Sequence, residues 1–153
     1  MGREQLETYL RENKVPYQVQ HHPLAYTSQR VAQSEHIPGK MMIKVVVVYG
    51  DDRMALLALP ASLRVDLVKA AAVLGAKSVR LATEDEFAGK FADCEIGAIP
   101  PFGNLYGLPL YMDKVIEEDE TVFFEAGTHT DTISVTYEDF QRLAQPVIAD
   151  IAC

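Results

Sequence analysis

Cysteine is nearly absent from this chain. Cys94 and Cys153 are the only two in 153 residues, too few for a disulfide framework or a metal quartet. The cytosol is then the simplest compartment. Basic residues are also scarce: 14 Lys and Arg stand against 22 Asp and Glu, a net charge of −8. That argues against an extended nucleic-acid surface built on non-specific phosphate attraction, and no DNA partner is expected. It leaves open a local pocket that grips only a nucleic-acid end. No apolar run approaches ~18 residues, so no membrane span is expected. MGREQLETYL is charged early and has no apolar h-region, and MGREQL has no Ser or Thr at its sixth position. Neither a signal peptide nor N-myristoylation is expected. There is no GxSxG elbow, P-loop, HExxH or GxGxxG. His21-His22 and His36 lack a metal-ligand spacing, so neither a metal nor a cofactor is expected. With no repeat, linker or low-complexity segment, residues 1–153 read as one domain with a sizeable core.

What the chain does have is concentrated between Cys94 and Asp113, CEIGAIPPFGNLYGLPLYMD. Gly97, Gly103 and Gly107 open backbone angles closed to other residues. Pro100, Pro101 and Pro109 exclude an ordinary helix or central strand. Yet Ile96, Ile99, Phe102, Leu105, Tyr106 and Leu108 are apolar, which a solvated linker would not carry. The stretch reads either as a rigid, partly buried binding loop or as a well-packed connection between strands.

Around it the periodicities mix. Leu6, Tyr9 and Leu10 mark a helix over 3–14, and Tyr17 and Val19 a short strand closed by His21-His22-Pro23. Thr27 or Ser28 can cap a second short helix through Val31 and Ala32, broken at His36-Ile37-Pro38-Gly39. Met41–Tyr49, MMIKVVVVY, is a strand whose β-branched run predicts burial on both faces. Gly50-Asp51-Asp52 turns it into a partner strand over Arg53–Leu59. Asp66 caps a helix that Gly75 stops, and Val79–Ala82 is a strand. Thr83 with Glu86 forms a capping box for a helix to about Phe91. Strands follow near Leu110–Met112, Thr121–Glu125 and Thr132–Val135. A last helix starts at Thr136 and ends at Pro146, and Val147–Ile151 adds an edge strand. Without strict βαβ alternation this predicts an α+β fold with a mixed, partly closed sheet flanked by helices.

Lys44 is the only charge in its strand and shares a face with Met42, Val46 and Val48. It is either a snorkelling lysine or an anion ligand at a cavity mouth. Asp113 and His129 each have a plain reading as turn residues. Together with Lys44 they supply a cation, a carboxylate and an imidazole, a set able to orient a substrate or water without a protein nucleophile. Cys94 has no evident activating neighbour and reads better as a small buried residue than as a nucleophile.

Taken in order, His22-Pro23, Lys44 within MMIKVVVV, GAIPPFG at 97–103, LPLYMD ending in Asp113, AGTH at 126–129 and the closing TYEDFQRL resemble the YbaK / prolyl-tRNA synthetase-associated editing-domain family over nearly the whole chain. Gly97 to Pro101 fits that family's GxxxP motif. The resemblance implies a free-standing deacylase that acts in trans on the ester of a mischarged tRNA carrying a small amino acid such as Ala, Cys or Ser. It implies that Lys44 holds the phosphate of the terminal adenosine. It also implies that the Gly97 loop shapes the aminoacyl pocket and binds the substrate carbonyl through its backbone. On this basis Lys44, Gly97, Asp113 and His129 are the expected catalytic residues. Ala98, Ile99, Pro100, Pro101, Phe102 and Gly103 are the expected substrate-binding residues. The expected partners are the tRNA acceptor end and a synthetase that delivers it, the latter in keeping with the acidic balance. An aminoacyl ester is already activated, so positioning and carbonyl polarisation supply much of the acceleration, with a tRNA 2′-hydroxyl helping to activate water. Two other readings stand beside this one: a non-catalytic tRNA- or synthetase-binding module of the same fold, and a hydrolase of small non-tRNA esters.

Overall fold

The computed structural model describes residues 3–21, 41–95 and 97–153. The expected helix over Thr27–Ala32, the His36–Gly39 break and His22-Pro23 lie outside the described residues. Eight strands form one sheet: β1 (Gln18–His21), β2 (Met42–Gly50), β3 (Arg53–Pro60), β4 (Val79–Leu81), β5 (Leu110–Asp113), β6 (Thr121–Glu125), β7 (Asp131–Thr136) and β8 (Val147–Ala149). Four α-helices accompany them among the described residues: α1 (Arg3–Glu12), α2 (Leu67–Leu74), α3 (Glu84–Phe87) and α4 (Tyr137–Ala144).

Local chemistry explains most boundaries. The β2–β3 hairpin closes on Asp51-Asp52, with Asp51 at φ 55°. The Asp51 carboxylate accepts N–H bonds from Lys77 at 3.1 Å and Ser78 at 3.3 Å, tying the hairpin tip to the loop before β4. The Asp66 carboxylate caps α2 by accepting from the N–H groups of Val68 and Lys69, and Gly75 ends that helix at φ 66°. Thr83 and Glu86 form the expected capping box, but α3 is shorter than expected because loose turns take over from Ala88. Thr136 caps α4 through the Asp139 N–H.

The strand order is β1-β7-β6-β2-β3-β5-β8, with β4 also on β2. β2 pairs parallel with β6, as β3 does with β5 and β5 with β8, while the other pairings are antiparallel. The sheet is mixed, as expected, but open. Its end strands are short and largely exposed and do not pair with each other, which limits the liability of bare edges. One face packs on α1 and α4 through Leu6, Leu10, Ile43, Phe124, Ile133 and Phe140. The other carries Val48, Leu57 and Val79 against Ala70 of α2.

The edge of β2 away from β3 is divided. Met42 and Ile43 pair with Phe123 and Phe124 of β6, whereas Val48 to Gly50 pair with β4. Between them, Lys44 to Val46 meet no strand on that side among the described residues, and all three are only half-buried. The expected continuous burial of the β-branched run is interrupted here because the sheet forks at Lys44.

Candidate active site

Beyond the last β2–β6 pair, β6 runs into a turn over 126–130 before returning as β7. This turn is stitched to the Gly/Pro loop by backbone hydrogen bonds. The Glu95 N–H donates to the Gly127 carbonyl at 2.8 Å, and the Gly127 N–H donates to the Ala98 carbonyl at 2.9 Å. Gly97 sits exposed between them at φ 86°, a left-handed conformation that favours glycine. The loop is rigid because its next residues are anchored. Ala98, Ile99, Pro100, Pro101, Phe102 and Gly103 are all buried. The Phe102 ring lies edge-on to Phe124 at 5.3 Å, Phe140 at 5.6 Å and Tyr9 at 6.2 Å. At Gly103 an added Cβ would stand 2.5 Å from the Leu108 carbonyl oxygen. The packing of residues 98–103 is that of a well-packed connection. Phe102 and Gly103, expected at the substrate, are core anchors, and the hydrogen bonds to the turn come from Glu95 and Ala98.

His129 is buried at 5% exposure and stands between two carboxylates. Its Nδ1 is 3.9 Å from Glu125 Oε2, and its Nε2 is 4.0 Å from Glu95 Oε2. Its backbone N–H donates to the same Glu95 oxygen at 3.1 Å. Neither glutamate was legible as a site residue. The available signals were a carboxylate ending the apolar run TVFFE directly before a glycine turn, and one two residues ahead of Gly97. The turn is clamped from its far side as well. Asp131 accepts from Thr128 Oγ1 at 2.5 Å and pairs with His21 Nδ1 of β1.

Lys44 projects from the fork. No Asp or Glu among the described residues forms an ion pair with it. Burial, and then the charge of Arg64, push its ammonium below the ordinary lysine value. A half-buried cation whose charge is further disfavoured by a second cation is an anion-receptive arrangement in a chain of net charge −8.

Asp113 has a different occupation from the one expected. It is 2% exposed. Its Oδ1 accepts from the N–H groups of Ile151 at 3.0 Å and Ala152 at 3.1 Å, and its Oδ2 from Val115 at 3.1 Å. Three backbone donors hold the carboxylate and fasten the final segment to the end of β5. Cys94 turns its sulfur to the Tyr106 hydroxyl at 3.2 Å. Burial, followed by this contact, raises the Tyr106 phenol above its ordinary range.

The Gly97 loop and the carboxylate-flanked His129 thus meet at the 126–130 turn, and Lys44 stands at the fork one residue past the last β2–β6 pair. A model of the aminoacyl-tRNA editing domain matches residues 22–143. The chain belongs to the aminoacyl-tRNA editing domain family. Among solved structures, a candidate trans-editing enzyme for prolyl-tRNA synthetase is 23% identical, with a TM-score of 0.85 over 99% of this chain and 96% of that one. A scaffold protein from computational epitope grafting is 22% identical, also with a TM-score of 0.85, over 99% and 96% of the two chains. A candidate signal transduction protein of Marinobacter aquaeolei, 22% identical with a TM-score of 0.71, carries the fold in 30% of its length, matched by 96% of this chain. These likenesses show that editing-family members share this fold with proteins of other descriptions. No helix among the described residues is long and apolar enough to cross a membrane.

Proposed function

We propose that residues 1–153 act as one free-standing, cytoplasmic editing domain that hydrolyses the ester of a mischarged tRNA in trans. The observation that carries this reading is the placement of Lys44 at the fork, one residue past the last β2–β6 pair, where β6 leads into the turn that binds the Gly97–Ala98 loop and carries His129. Lys44 binds the phosphate of the terminal nucleotide and fixes the acceptor end. Only that end need touch the protein, so the acidic surface is tolerated. The Gly97–Ala98 backbone orients and polarises the ester carbonyl. Water attacks the carbonyl carbon, aided by the tRNA 2′-hydroxyl. The tetrahedral species then collapses with cleavage of the ester C–O bond, and the departing 3′-oxygen takes a proton. His129, steadied by Glu95 and Glu125, orients the water. Asp113 supports the site through the frame and does not contact the substrate.

The test is a deacylation panel with tRNAs mischarged with Ala, Ser, Cys and similar small residues, using Lys44→Ala as control. Release from one or two of them that Lys44→Ala abolishes, in protein shown to be folded, supports the reading and gives the specificity. Absence of release from every tRNA overturns it in favour of a binding module.

A further inference from the structure

Next to the clamped turn lies a cavity of about 220 Å³, walled by Phe87, Phe91, Cys94 and Ile99, with Glu95 as the only charged residue lining it among the described residues. Three observations limit what it can hold. Its volume is below the roughly 300–1,000 Å³ of pockets that enclose whole drug-sized ligands, so it suits a single small side chain and not a nucleoside. Its walls are aromatic and aliphatic, so the occupant is mostly apolar. Among the described residues its charged group is a carboxylate that is half exposed and already oriented, since the His129 N–H holds Oε2 at 3.1 Å. The occupant therefore carries a cation beside a short apolar group. The amino-acid part of an aminoacyl ester has this composition.

We propose that this cavity is the aminoacyl subsite, with Glu95 accepting the α-ammonium group of the substrate and Phe87, Phe91 and Ile99 enclosing its side chain. This rests on the deacylase reading above and adds the recognition of a free amine to it. The geometry is consistent with the chemistry. The Glu95 backbone N–H is bound to Gly127 and its carboxylate to His129. An ammonium held there places the adjoining ester carbon beside the Gly97–Ala98 backbone. A substrate whose amine is acylated loses both the charge and the room.

The experiment compares aminoacyl-tRNA with its N-acetylated form, in the wild type and in Glu95→Gln. Glutamine keeps an oxygen for the His129 N–H, so the turn stays in place. The wild type is expected to favour the free amine by about 10- to 100-fold in kcat/KM, the range of a charge-assisted hydrogen bond, and Glu95→Gln to bring this ratio close to 1. Ala88→Phe, which narrows the cavity, is expected to raise KM more for larger side chains. The same comparison is made by calorimetric binding of the non-hydrolysable 3′-aminoacylamino-adenosine and its N-acetyl form. Hydrolysis with equal ratios in both proteins overturns the Glu95 assignment and leaves the deacylase intact. No hydrolysis, but Glu95-dependent preference for the free amine in binding, overturns the deacylase and leaves the subsite. No discrimination in either assay overturns the subsite.

Discussion

Replacing Asp113 by alanine is expected to unfold the protein more than it disturbs the chemistry. The substitution leaves the buried N–H groups of Ile151 and Ala152 and the N–H of Val115 without their acceptor. Hydrogen bonds to a charged group contribute about 1.5–3 kcal/mol each. Three that share one carboxylate do not add fully, and removing the carboxylate relieves its own desolvation. The expected net loss is about 3–5 kcal/mol, from a total stability of about 5–15 kcal/mol. For a chain of this size that corresponds to a Tm lowered by about 6–20 °C. Asp113→Asn keeps one acceptor oxygen for Ile151 and Ala152 and turns an amide N–H₂ toward Val115, so it is expected to lose only about 1–3 kcal/mol. Urea unfolding followed by circular dichroism, with an unchanged slope, measures both losses. Below the melting range, deacylation by Asp113→Asn is expected within a few-fold of wild type. An alanine variant within about 1 kcal/mol of wild type would refute the reasoning. So would an asparagine variant of normal stability and no activity, which would return Asp113 to the chemistry.

Other perturbations probe different parts of the frame. Phe102→Ala empties the space between Tyr9, Phe124 and Phe140 and is expected to lower unfolding free energy by about 3–5 kcal/mol in denaturant titration. Lys44→Met removes a cation that burial and Arg64 disfavour; thermal unfolding is expected at or above the wild-type temperature while deacylation is lost. The Glu86 carboxyl, held at about 2 by Arg80 and by Thr83 against an ordinary 4.5, has a depressed folded pKa. Its contribution to stability is therefore present at neutral pH and fades as pH falls from about 4.5 toward 2. A titration by nuclear magnetic resonance that places this carboxyl at its ordinary value would contradict the structure.

The sequence is most legible where structure is set by neighbours along the chain. Asp66 and Gly75 bracket α2, Thr136 starts α4, and the β-branched run of β2 marks a strand, because caps and periodicities act over a few residues. Pairings made at a distance left no such mark. Nothing local to Met42 announces Phe123, or shows that β2 changes partners at Lys44. Asp113 illustrates the same limit at the site. A carboxylate ending a strand looks the same in sequence whether it meets a substrate or backbone N–H groups 38 residues further on. Glu95 and Glu125 acquire meaning only when the 126–130 turn carries His129 between them. Phe102, within the most site-like motif of the chain, proved to be the bolt that fixes the motif.

The division of β2 between two partner strands also bears on how the molecule is assembled in time. Two hairpins, β2–β3 and β6–β7, close through local contacts, whereas the parallel β2–β6 pairing joins residues about eighty positions apart. Non-local pairings of this kind form slowly. Lys44 belongs to one hairpin and His129 to the tip of the other, so neither hairpin alone contains the proposed site. During refolding, secondary structure is expected to recover ahead of substrate binding, and catalytic competence to follow the slowest phase, in which the two hairpins dock.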